Sequence, residues 1–328
     1  ESLSDETRFA LGFLNKINHG VVEAPLSRYY GAWLQEPSDK AKKEIEDAVK
    51  VFAAFSALWR AAHGGTDGID SVYRKIMQSG VGDIFSPLAR TSGITSHTEN
   101  ELPSIVDVAQ GMRHLLGNSK TNRFSTCEEW IALSAERPIY DEQEQLAKFL
   151  LLLAGHGAIA DGDTGLTKDG NLSDNNNLLR DERYPSDDRL ATLEHVAPQT
   201  FEGKGWSTGL YSTGALVHSI GNLTLLPIDD NSFVSNRSWA HKRILYRVLS
   251  ARDPEEAEQI LNSAKDMGLQ LAPDRVRYLL ARRQHLPFLE AIARYEGEWD
   301  ENFVRMRSRH LLERAWRILD RWLSPSMQ

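Results

Sequence analysis

The chain holds one cysteine, Cys127, in 328 residues. An internal disulfide is thereby excluded, as is a cysteine-based zinc knuckle, and any metal has to sit on oxygen and imidazole ligands. Long apolar runs are also missing. The longest lies around Phe149 to Ala154, far short of the roughly 18 residues that a membrane span requires. No N-terminal stretch combines basic, apolar and small residues in the manner of a secretory signal, so a cytoplasmic protein with no membrane partner is expected. The chain opens ESLSDE without a methionine, which predicts a piece of a longer protein. Positive charge is scarce overall, with a net charge of −8.

What is present is ordinary globular material, 41% hydrophobic and 26% charged, long enough for two or three domains with cores of their own. The scarce cations are unevenly placed. Residues 1–235 hold 21 Lys/Arg against 33 Asp/Glu, whereas residues 236–328 hold 17 against 13. A cationic surface is therefore expected at the C-terminal end, around Arg237, Lys242, Arg243 and Arg247, and along Arg305, Arg307, Arg309, Arg314, Arg317 and Arg321. The alternative for each cluster is a solvated helix face.

Residues 1–154 read as a helical domain. In SDKAKKEIEDAVKVFAAFSALWRAAHGG, Ser38 can cap the start, Ile45, Val49, Phe52, Phe55 and Trp59 recur at helical spacing, and Gly64 and Gly65 can end it. Further helices are predicted near 5–18, 71–79, 104–116, 126–135 and 141–154, each bounded by Gly, Pro or Ser/Thr. Residues 155–188 are crowded with turn formers and predict a loop or linker. Beyond it, RLATLEHVA and GNLTLLPI read as short strands, and the stretch from Asn231 to Ser250 turns helical. An acid-histidine pair on the first strand, with Asn222 at the second and Asn231 at the helix start, would converge in a compact unit over residues 189–250. Residues 251–328 are expected to be a basic helical segment packing on it.

These residues resemble the HNH, or ββα-metal, nucleases, in particular the GmrSD-type branch, whose stretch runs E-H-x-x-P-Q, then G-N-L-x-L-L, then two asparagines and a lysine. The matching residues are Glu194, His195, Pro198 and Gln199, then Gly221 to Leu226, then Asn231, Asn236 and Lys242. The resemblance implies a mainly α protein with an embedded ββα-metal motif, and an endonuclease that cleaves or nicks DNA as the effector of an anti-phage restriction system. It implies His195 as general base, Asn222 as the residue orienting it, Glu194 and Asn231 as ligands of Mg²⁺ or Mn²⁺, and a missing N-terminal ParB-like nucleotide-binding domain. Lys242, Arg243, Arg305, Arg307 and Arg309 would contact DNA phosphates. Lys204, Trp206 and Tyr211, in the insertion between the motif pieces, are candidates for backbone binding or stacking. Asn231 has an alternative as a helix cap, and His218, four residues before Asn222, either assists at the phosphate or is structural. The competing readings are a catalytically inactive helical DNA-binding or regulatory module, and a nuclease acting on RNA.

Overall fold

The computed structural model describes residues 2–91, 99–173, 176–203, 205–228, 234, 236–251, 253–266 and 287–326. The chain is mainly helical and divides into two compact units. One comprises Glu1–Ser134, Arg180–Ser186 and Ala315–Gln328; the other comprises Ala135–Leu179 and Asp187–Arg314.

Among the described residues the first unit holds α1 (Asp5–Lys16), α2 (Glu23–Gln35), α3 (Asp39–His63), α4 (Ile69–Ser79), α5 (Ile105–Gly117) and α6 (Cys127–Ser134), with the end of the C-terminal helix from Ala315. At its centre is α3, because Val51 to Trp59 carries no charge and can be buried all round. Ser38 caps it by accepting from the Ala41 N–H at 3.2 Å, and Gly64 ends it at φ 72°, a left-handed conformation that a side chain would strain. Helices α1, α2, α5 and α6 pack against it. Periodicity does not reveal α2, since it carries Pro25 and Gly31; Pro25 lies in its first turn, where a missing N–H costs nothing.

The second unit contains α7 (Ile139–Gly155), the hairpin β1 (Ala158–Ala160) and β2 (Thr167–Asp169), then β3 (Thr192–His195), β4 (Leu223–Leu226), α8 (Trp239–Leu249), α9 (Pro254–Asp266), α10 (Pro287–Arg294) and the first part of α11 (Glu301–Trp322). Strands β3 and β4 pair antiparallel, with Glu194 opposite Thr224 and His195 opposite Leu223. All four residues of β4 are buried, as are Leu193, Glu194 and His195 on β3. A hairpin covered this completely needs helices around it, and α7 packs against both strands. Helices α9 and α10 pack on α8, and the core they share includes Val196, Leu226, Trp239, Leu245, Ile292, Trp299 and Phe303. Within the stretch expected to be turn-rich, β1 and β2 pair with Ala158 opposite Asp169, and Leu178 and Leu179 are buried in a 3-10 turn.

Gly221 decides how closely α11 approaches β4. A Cβ there would lie 2.1 Å from the Val304 carbonyl oxygen, inside van der Waals contact. The Gly221 N–H instead donates to Ser308 Oγ at 3.0 Å, and Arg307 Nη1 donates to the Gly221 and Leu223 carbonyls at 2.6 and 2.8 Å.

Candidate active site

Glu194 and His195 end β3, and three neighbouring segments fix them. The first is α8, where Lys242 and Tyr246 lie four residues apart and so share a face. Lys242 Nζ donates to Glu194 Oε1 at 2.6 Å and to the His195 carbonyl at 2.7 Å; Tyr246 OH donates to the same Oε1 at 3.4 Å. Lys242 is 1% exposed and Glu194 7%. Burial pushes the carboxyl up and the ammonium down from their ordinary values, and their mutual attraction opposes both shifts.

The second segment is the turn before β4. Asn222 is fully buried, and each of its side-chain polar atoms is used. Its Oδ1 accepts from the Ala197 N–H at 2.8 Å and from Trp299 Nε1 at 2.9 Å. Its Nδ2 donates to the Ala197 and Val217 carbonyls at 2.9 and 2.7 Å. An asparagine bonded to both polar groups of Ala197 clamps the chain two residues after His195 and so fixes the exit of β3. Neither aspartate nor leucine could make both kinds of bond.

The third segment is the start of α7. The Tyr140 ring lies 4.4 Å from the His195 ring at 74° and 6.0 Å from the His218 ring at 21°. His195 Nε2 is 3.2 Å from His218 Nδ1, and Gln199 Nε2 is 3.4 Å from His195 Nδ1. Burial, followed by the charges of His218 and Lys242, lowers the His195 pKa to about 3, so the ring is neutral at neutral pH and carries a free lone pair, while the same surroundings make it a weak base.

The structure therefore brings Glu194, His195, Asn222 and Lys242 together. Asn231 and Lys204 lie outside the described residues. Asn236 is exposed, with Nδ2 donating to Glu202 Oε1 at 3.1 Å. The residues expected on DNA are placed differently from one another. Lys242 is spent on Glu194, and Arg307, 2% exposed, is spent on two backbone carbonyls. Arg243 is half-buried and donates to the Tyr295 carbonyl at 3.1 Å, Arg305 pairs with Glu136 at 3.1 Å, and Arg309 is exposed. In the insertion, Trp206 is buried in the core with Nε1 donating to the Arg237 carbonyl at 3.1 Å, and Tyr211 OH donates to the Pro198 carbonyl at 2.9 Å. A buried indole has no free face for a nucleobase. Tyr140, Tyr246 and Trp299 are invisible to motif reasoning, because nothing local in the sequence marks a residue that reaches the site from a distant part of the chain.

A hard divalent cation would need oxygen ligands with charge to spare. Glu194 Oε1 is already matched by a lysine, and among the described residues no group of three or more His, Cys, Asp or Glu is placed to hold an ion. The described donor set does not by itself fit a metal.

No curated protein matches the chain. Residues 132–314 match the family model of the GmrSD restriction endonucleases, C-terminal domain. That span exceeds half of the 328 residues and contains every group described at the site, so the chain belongs to the family of GmrSD restriction endonuclease C-terminal domains.

Proposed function

We propose that β3, β4 and α8 form the ββα (HNH) core of an endonuclease, within residues 189–250, which cuts or nicks DNA as the effector of an anti-phage restriction system. The observation that carries this reading is a buried His195 at the end of a strand whose exit is clamped by Asn222. A neutral imidazole can take the proton of a water molecule, whose oxygen attacks phosphorus as the P–O bond to the departing oxygen breaks. Lys242 holds the Glu194-His195 pair in register through one carboxylate oxygen and one carbonyl. DNA would lie against Arg243, Arg305 and Arg309, of which the last two are four residues apart on one face of α11. A ParB-like domain preceding the chain rests on the resemblance alone.

The resemblance adds Mg²⁺ or Mn²⁺ on Glu194 and Asn231, which would stabilise charge on the departing oxygen. The described residues do not fit such an ion while Lys242 holds Glu194. The same ion pair favours one competing reading, a nuclease fold without activity.

Incubating the chain with supercoiled plasmid and Mg²⁺ or Mn²⁺ tests these points together. Nicked or linear product is expected. EDTA should abolish it if Glu194 is released to the ion that the resemblance adds, and leave it unchanged if Lys242 keeps Glu194. His195→Ala should lower the rate by roughly 10²- to 10⁴-fold, the usual contribution of a positioned proton acceptor. Wild-type rates for His195→Ala would refute the assignment of the base, and cleavage indifferent to EDTA would refute the metal. No product at all would favour the inactive module.

A further inference from the structure

We propose that His218 is a positioning residue of this site, whose Nδ1 selects the tautomer of His195 that leaves Nδ1 of His195 free to accept a proton. The inference rests on the reading of His195 as the general base, and it follows from the donors and acceptors around that ring.

A neutral imidazole carries one N–H, and its position is set by what each nitrogen faces. His195 Nδ1 faces the amide nitrogen of Gln199 at 3.4 Å, a donor, so a proton on Nδ1 would oppose another proton. His195 Nε2 faces His218 Nδ1 at 3.2 Å, which can accept. The proton therefore belongs on Nε2, donated to His218, and the lone pair belongs on Nδ1. For His195 to act on a water molecule, that water has to take the place of the Gln199 amide at Nδ1.

His218 can serve because it is itself held. It closes the 3-10 turn Leu216–His218, four residues before the Asn222 clamp, and the Tyr140 ring lies near both imidazoles. One neighbour works against the arrangement. Asp141 Oδ1 lies 3.4 Å from His218 Nδ1, and a carboxylate there favours a proton on the nitrogen that must accept from His195. Asp141 is 55% exposed in its side chain, so water screens this competition. The groups facing His218 are thus His195 from β3, with Tyr140 and Asp141 from α7. Lys242, from α8, bears on His195.

Two variants separate positioning from packing. Asparagine places a side-chain polar atom near the position of imidazole Nδ1, whereas glutamine places one near Nε2. With supercoiled plasmid as substrate, His218→Gln should lower the single-turnover rate at saturating enzyme by 10-fold or more, while the enzyme concentration for half-saturation changes less than threefold. His218→Asn should recover most of the rate at the same melting temperature. Asp141→Asn, which removes the competing carboxylate, should not lower it.

A second measurement needs no activity. The ¹⁵N shifts of ¹⁵N-histidine-labelled protein, assigned with His195→Gln, should show His195 protonated on Nε2 in the wild type and a mixture of tautomers in His218→Gln. A wild-type Nδ1–H tautomer overturns the inference. So do equal rates for His218→Asn and His218→Gln, or a rate decrease in Asp141→Asn matching that of His218→Gln. If His195→Ala cleaves normally while the tautomer is as stated, the general-base reading fails and the hydrogen-bond assignment stands without a catalytic role.

Discussion

Replacing Lys242 by methionine removes the ammonium group and keeps most of the stem. Lys242 is 1% exposed, and its four-carbon stem already occupies apolar space that methionine fills almost as well. The substitution removes the 2.6 Å ion pair to Glu194 and the 2.7 Å bond to the His195 carbonyl. The carboxylate left behind is 7% exposed, and its Oε1 keeps the Tyr246 hydroxyl at 3.4 Å. Breaking one side of a buried pair costs about 3–5 kcal/mol, because the uncompensated charge stays buried or takes up a proton. For a unit of this size, about 2–4 °C per kcal/mol, the melting temperature should fall by roughly 6–20 °C. Removing both charges, as in Glu194→Gln/Lys242→Met, should restore much of that stability, since well-packed neutral replacements of a buried pair are often tolerated. Urea melts of the four proteins, followed by circular dichroism, give the coupling energy directly. A destabilisation below about 1 kcal/mol in Lys242→Met, or a double variant worse than the sum of the singles, would refute the account of Lys242 as an internal partner. It would return Lys242 to the DNA surface expected from the sequence.

Acid should weaken both units. The folded pKa of His195 is about 3 and that of His19, buried in the first unit, about 4. Both lie below the ordinary value of 6.5, so the unfolded chain binds protons first. The stability due to these groups is complete above about pH 6.5 and is lost as pH falls through the window down to about 4 or 3. Up to roughly 3–5 kcal/mol per histidine is at stake, at about 1.36 kcal/mol per pKa unit, and a urea midpoint that stays flat from about pH 7 to about pH 4.5 would contradict the burial of both rings. On DNA, Arg305→Ala/Arg309→Ala should flatten the salt dependence of log affinity by nearly one unit for each phosphate that is no longer neutralised, and Lys42→Ala/Lys43→Ala should leave it alone. The opposite pattern would place the DNA path elsewhere.

By itself, the sequence determined the helices with clear apolar periodicity and good caps. Helix α3 runs from the Ser38 cap to the left-handed Gly64, and α1, α4, α5, α6 and α7 lie within a few residues of where periodicity places them. It also located both strands of the hairpin, since β3 lies inside RLATLEHVA and β4 inside GNLTLLPI, and the motif residues that identify the family. These features are local: a cap, a repeat or a motif depends on residues a few positions apart. Tertiary structure alone decided what each charged or polar side chain faces. Charge counting sends Lys242 and Arg307 to the surface, yet one neutralises Glu194 and the other donates to the Gly221 and Leu223 carbonyls, because α8 meets β3 and α11 meets the start of β4 across 48 and 86 residues of sequence. Asn222 reads in the motif as an orienting residue, but its partners Ala197, Val217 and Trp299 appear only when the chain has folded. Tyr140 and His218 likewise reach His195 from distant positions in the chain. A ring contact or hydrogen bond over such a separation leaves no periodic trace; the packing of α7 on β3 makes the one, and the 3-10 turn Leu216–His218 makes the other.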